Sequence, residues 1–339
     1  MKLNLFKKLI SVALIIAMLL TGCAHGAAKT TEPKTTQTQQ TKQDETYTIG
    51  ISQLVEHPAL DASKQGFIDE MKNQGINVKF LDQVAQADIA NAQMIAEKFV
   101  KDDVDLIFTI ATLSAQAAKQ AIEGTDIPMV FTAVTDPVFS QLVTSLNVTD
   151  KNITGVVDAA PIKENLELFI KLSEEIKTIG IIYNIGESNS EVQVEQTKEI
   201  ADTLGLVVET VGISSVNDIP QAVDTISKKV EGLYIITDNM VASAMSLVAK
   251  LAVENGLLTV SADGSHVSDG ILVSKGISYY EIGKQSAVIA KEILVNQKDV
   301  IDIPVQASEN LEKKVNKKTA KALGFSMDNK AFEGAEFIE

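Results

Sequence analysis

Arginine and tryptophan are absent from this chain of 339 residues. All 30 basic residues are therefore lysine. Without a guanidinium, no site here can grip a carboxylate or phosphate with a rigid two-pronged fork. An anionic group would have to be held by backbone N–H groups, hydroxyls, amides or lysine. Cysteine occurs once, at Cys23, so no intramolecular disulfide can form. The three histidines, His25, His57 and His266, lie far apart, and no Cys/His spacing suits a metal. No phosphate-binding Gly-rich loop and no Gly-x-Ser-x-Gly elbow is present. No catalytic residue, metal or cofactor is assigned, and no enzyme is expected. A basic excess is also missing: the formal net charge is −15, which argues against nucleic acid as a partner.

The chain opens with Lys2, Lys7 and Lys8, followed by an apolar run from Leu9 to Leu20 broken only by Ser11. A basic segment before a short apolar one is a secretory signal, too short for a membrane span. Leu20-Thr21-Gly22-Cys23 resembles the bacterial lipobox, which implies lipidation of Cys23 and removal of residues 1–22. Residues 24–46 hold almost no large apolar side chain. Such a segment buries too little to offset its ordering entropy and is expected to be a flexible tether. The implied location is the outer face of a bacterial cytoplasmic membrane, held there by lipid.

Beyond the tether, strand-like and helix-like runs alternate. Thr48-Ile49-Gly50-Ile51, Val78–Leu81, Leu106–Ala111 and Pro128–Ala133 read as strands, with helical spacing over 61–73, 89–100 and from about 115 to 122. The order then repeats from Thr178-Ile179-Gly180-Ile181, with strands at 206–210, 233–236 and 257–260. Gly270–Ser274 and Ile303–Val305 read as later strands, Tyr280–Leu294 as a long helix and 317–323 as a short one. This pattern predicts an α/β fold of two similar doubly wound parallel-sheet lobes.

Parallel sheets bind ligands beyond the carboxyl ends of their strands. In the first half those ends carry Ser52, Gln53, Glu56 and His57, then Thr112, Leu113, Ser114 and Ala115, then Thr135 and Asp136. In the second half they carry Asn184, Ser188 and Asn189, then Thr237, Asp238 and Asn239, then Asp263. Hydroxyls and amides dominate, and several also suit helix N-capping. Thr112-Leu113-Ser114 precedes a helix whose free N–H groups would face an anion. Asp238 suits an ammonium instead.

Four stretches carry a family resemblance: Glu56–Asp61, Ala111–Ala117, Ala133–Val138, and Val273 through Tyr279-Tyr280-Glu281-Ile282-Gly283. In combination they resemble the tryptophan-transport type of ABC solute-binding protein. The resemblance implies a type I periplasmic-binding-protein fold, with two lobes joined by hinge strands and closing on tryptophan or phenylalanine. It implies a permease and its ATPase as partners, and a monomer. It places a ligand carboxylate at Thr112, Ser114, Ala115 and Thr135, and an ammonium at Glu56, Asp238 or Asp136, with Asn184, Ser188 and Asn189 approaching from the second lobe. Leu113-Ser114 departs from the family's Pro-Ala. The expected lobes are 47–156 with 279–299, and 157–278 with 300–328, leaving 329–339 as a loose tail. A sugar or nucleoside ligand, and a sensory subunit that does not import, remain open as alternatives.

Overall fold

A computed structural model of the chain describes residues 46–147, 151–308 and 311–339. The expected signal peptide, Cys23 and all but the last residue of the expected tether lie outside the described residues.

The first lobe begins with β1 (Thr46–Gln53), α1 (Pro58–Asn73), β2 (Asn77–Val84), α2 (Ile89–Lys101) and β3 (Leu106–Ile110). It continues through α3 (Thr112–Ala121), β4 (Met129–Val134) and β5 (Ile153–Val157). The chain then crosses to α4 (Ile162–Leu172), β6 (Thr178–Asn184), α5 (Ser188–Thr203), β7 (Val207–Ile213) and α6 (Ile219–Ile226). The second lobe goes on with β8 (Gly232–Ile235), α7 (Asn239–Ser243), α8 (Met245–Glu254), β9 (Leu258–Asp263) and β10 (Val273–Ile277). A return crossing brings α9 (Tyr279–Leu294) and β11 (Gln306–Ala307), and a third leads to β12 (Leu311–Asn316), α10 (Lys317–Ala322) and β13 (Glu336–Ile338).

The two sheets run β11-β5-β4-β3-β1-β2 and β13-β12-β10-β9-β8-β6-β7. Their first five sequential strands are arranged alike, so the tandem repeat read from the sequence is a repeat of topology. Pairing is parallel except between β10 and β12. Helices cover both faces, which is why every residue of β3 and β4 is buried. In the first lobe the Phe67 and Phe108 rings stack 3.8 Å apart beneath α1.

Four expectations need correction. Residues 303–305 form no strand; the strand is Gln306–Ala307, immediately after Pro304 and Val305, and it pairs with β5. Proline cannot donate to a ladder, so the pairing starts beyond it. Residues 300–307 therefore accompany the first lobe, and the third crossing falls after Ala307. The strand Ile153–Val157 and the charged strand Leu311–Asn316 were not anticipated. Finally, 329–339 is no loose tail: Phe332 is buried against Phe325 and Phe337, and β13 pairs with β12. Among the described residues no helix is long and apolar enough to cross a membrane.

Candidate functional site

Both sheets end in polar turns that face each other across a cleft. In the first lobe, β3 runs into α3 through Ala111, whose φ of +83° lies in the left-handed region. An alanine there costs energy that the surroundings must offset, and such strain gathers at functional sites. Ala111 has no side-chain oxygen to cap α3, so the first N–H groups of that helix lack a capping acceptor. Around this end the hydroxyls of Ser52, Thr109, Thr112 and Ser114 are buried without a hydrogen-bond partner. Ala133, at the end of β4, repeats the positive φ at 55°. Thr135 follows it, with Asp136 beyond.

The second lobe is built differently. Its strand-end carboxylates are already engaged within the lobe. Asp238 accepts from the backbone of Val241 (2.8 Å) and Asn184 (2.6 Å) and from the Ser190 hydroxyl (2.7 Å). Glu187 gathers the N–H groups of Asn239 and Met240 and the side-chain amides of Asn184, Asn189 and Asn239. Asp263 accepts from the N–H and hydroxyl of Ser265 and faces His266 Nε2 at 3.4 Å. Burial, with Glu187 nearby, pushes the Asp238 carboxyl up to about 7.

The lobes are closed on each other. Thr135 and Thr237 hydroxyls meet at 3.2 Å, and His57 Nε2 meets Asn239 Oδ1 at 3.4 Å. The amide of Asn239 donates to Glu187, so its oxygen is the atom turned toward His57. A neutral His57 then carries its proton on Nε2 and leaves Nδ1 as an acceptor, buried and unpartnered. Burial and His266 hold the His57 pKa below its usual value. The cavity between the lobes is walled by His57, Leu60 and Ala133 on one side and by Asn189, Thr237, Asp238, Asn239, Ala242, Asp263 and His266 on the other. Asp158 and Tyr279 sit at the crossings. Its volume is about 10 Å³, room for one water. A larger ligand needs the lobes to part. We expect Thr237→Val to remove one closing contact and weaken ligand binding about threefold to tenfold, read by calorimetry. An unchanged affinity would mean the contact does not help hold the cleft shut.

The sequence-derived residues divide three ways. Asn189, Thr237, Asp238, Asn239 and Asp263 line the cavity. Ser52, Thr112, Ser114 and Thr135 are buried at the first lobe's strand ends, outside the lining of this cavity, and Thr135 meets Thr237 of the second lobe. The others have different surroundings. Gln53 donates to Val55 and Asp61. Glu56 is exposed beside a groove between the lobes, across from residues 242–247 of the second. Leu113 is half-buried against the first lobe's core and borders an outer concavity, and Ala115 packs into the core. Asp136 caps the turn at Val138 and Phe139. Asn184 and Ser188 flank Glu187, and the Ser188 hydroxyl has no partner. Residues not anticipated are Asp158, Glu187, His266 and Tyr279, while His57, expected at a strand end, lines the cavity. A larger concavity of about 620 Å³ lies on the outer side of the first lobe, lined by α3 and the turn after it, with the start of α2 and the segments around Ser140 and Asn152. It gathers no facing pair of lobes and no carboxylate cluster.

The chain is similar to known proteins along most of its length. Residues 48–336 match the family described as ABC transporter substrate binding protein. A tyrosine-binding protein of Clostridioides difficile is 40% identical over 326 residues, covering 94% of this chain and 92% of the relative. A Streptococcus pneumonia ABC domain in complex with L-Trp is 29% identical and overlays with a TM-score of 0.82, covering 87% of this chain and all of that one. A ligand-free, open substrate-binding protein with adhesive properties from Clostridium difficile is 39% identical, yet its TM-score is 0.67 over 86% of this chain and 99% of that one. The poorer overlay at higher identity agrees with lobes that are closed here and open there. The match runs from β1 to β13 and includes both lobes and the cleft, and the chain belongs to the family of ABC transporter substrate-binding proteins.

Proposed function

We propose that this chain receives an aromatic α-amino acid in the interlobe cleft and delivers it to an ABC permease, from a lipid anchor at Cys23 outside the cytoplasmic membrane. The observation that carries the reading is the end of α3: an uncapped helix N-terminus surrounded by the buried, unpartnered hydroxyls of Ser52, Thr112 and Ser114. Each unpaired buried polar group costs about 1–3 kcal/mol, which a ligand carboxylate would recover. The helix end adds roughly 0.3–1 kcal/mol toward an anion. These contributions and one buried ring reach micromolar affinity, about 8 kcal/mol, without arginine. Relatives that bind tyrosine or hold L-Trp support an aromatic side chain and add tyrosine to the expected tryptophan and phenylalanine.

Calorimetry of the full chain with L-tyrosine, L-tryptophan, L-phenylalanine, glucose and adenosine tests this. Binding of at least one aromatic amino acid is expected, with the ligand recovered unchanged. The double variant Thr112→Val, Ser114→Ala should weaken it by about tenfold to a hundredfold. Binding of glucose or adenosine alone would sink the amino-acid reading and leave a receptor for another solute.

A further inference from the structure

An amino acid carries a cation as well as an anion, and the cleft offers several carboxylates to receive it. Their oxygens are not equally free. Both oxygens of Asp238, of Glu187 and of Asp263 are engaged within the second lobe. Asp158 differs. Its Oδ2 accepts from the Tyr279 hydroxyl at 2.7 Å, while Oδ1 is buried with no partner. The residue is 3% exposed and lines the interlobe cavity.

Its place in the chain adds to this. Asp158 follows β5 on the first crossing between the lobes, and Tyr279 opens α9 on the second. Their hydrogen bond ties two crossings together at the back of the cleft. We infer that Asp158 binds the ligand's ammonium through Oδ1, with Tyr279 as the positioning residue that orients the carboxylate. This rests on the amino-acid reading above and replaces the sequence-based assignment to Glu56, Asp136 or Asp238. A cation placed between the crossings binds where the lobes rotate, so ligand charge and closure act on one spot.

The surroundings predict a pH signature. Burial pushes the Asp158 carboxyl up, the Tyr279 hydroxyl on Oδ2 and the nearby Thr135 hydroxyl, itself against Thr237, pull it back, and the charge of Asp263 raises it further. An ammonium needs the ionised form, so affinity should fall as pH drops and this carboxyl takes its proton. His57, its pKa held below the usual value by burial and His266, and Asp238, its carboxyl pushed up to about 7, line the same cavity and also titrate as acid is added, so the Asp158 share must be read by difference.

The experiment is calorimetry of the full chain with each aromatic amino acid beside its des-amino 3-arylpropanoate, for wild type, Asp158→Asn and Tyr279→Phe. We expect Asp158→Asn to weaken amino-acid binding by about 30-fold or more, because a buried charge pair loses one member. Binding of the propanoate should change less than about threefold, within the range of a single weak contact. Tyr279→Phe should fall between wild type and Asp158→Asn, and the loss of affinity from pH 7 to pH 5 should be shallower in Asp158→Asn than in wild type. Equal binding of the amino acid by wild type and Asp158→Asn would overturn the inference and leave the amino-acid reading intact. A variant that loses amino acid and propanoate alike would overturn it too, assigning Asp158 to the hinge alone. Wild type that binds no aromatic amino acid would overturn the reading itself.

Discussion

Gly283→Val is expected to unfold the first lobe at a much lower urea concentration than wild type. Helices α1 and α9 cross in contact, and each offers a glycine at the crossing. A Cβ on Gly283 would stand 2.0 Å from the Ser63 carbonyl oxygen, and one on Gly66 would stand 2.1 Å from that of Tyr280. Both obstacles are backbone atoms, which cannot swing aside as a side chain can. The helices would have to separate, opening the layer that holds Phe67, Ile282 and Ala287 in the first lobe's core. Overpacking a tight core costs about 1–3 kcal/mol and more where the backbone must move; a loss of at least about 3 kcal/mol is expected here. Gly283→Ala should show the same effect in smaller degree. An unfolding midpoint equal to wild type for the valine variant would show that the crossing tolerates separation. Tyr279 is the first residue of α9, so either variant should also weaken ligand binding.

That crossing was beyond the reach of sequence patterns, although both helices were legible. Apolar spacing marked α1 and α9, but the contact of Gly66 with Tyr280 joins residues more than two hundred positions apart. The parallel strands were easier. Leu106–Ile110 is buried on both faces and reads as an unbroken apolar run, so the sheets and their repetition were visible. The strands that escaped notice lack that run. Leu311–Asn316 carries a glutamate and two lysines, because it lies near the sheet's margin between β10 and β13, where only Val315 and Asn316 are buried. Ile153–Val157 is short and interrupted by Gly155, whose Cβ would meet the Phe131 carbonyl oxygen at 2.2 Å.

The site followed the same division. Strand ends were readable, so most cleft residues were named. Which carboxylate remains free was not readable, because it depends on partners brought in by folding. Asp238 looks available beside a helix start, yet Asn184 and Ser190 from another element occupy it. Glu187 looks like a loop residue, yet it collects amides from the starts of two helices. Asp158 carries no sequence signal because the short strand before it, broken by Gly155, carries none. The closing contact of His57 with Asn239 spans 182 residues and has no local signature.

The occupied state of Asp238 leads to an expectation about pH. Its carboxyl is pushed up to about 7, first by burial and then by the charge of Glu187, against three hydrogen bonds that favour the charged form. In the unfolded chain it titrates near 3.9. Between these values the folded protein holds a proton that the unfolded chain has released. Stability should therefore fall as pH rises from about 4 to about 7 and then level off, by an amount on the order of 4 kcal/mol. Asp158, also raised by burial, acts in the same direction. His57, lowered by burial and His266, acts in the opposite one: its contribution is lost as pH falls below the usual histidine value. Comparison with Asp238→Asn separates these, since an amide cannot release the proton while Asp158 and His57 remain. The stability of wild type minus that of the variant, from urea unfolding at pH 5, 6, 7 and 8, should decline across the series and flatten at its end. A difference that stays constant from pH 5 to pH 8 would mean that Asp238 is ionised throughout. Its three hydrogen bonds, with no help from a proton, would then carry the whole cost of burying a charge beside Glu187.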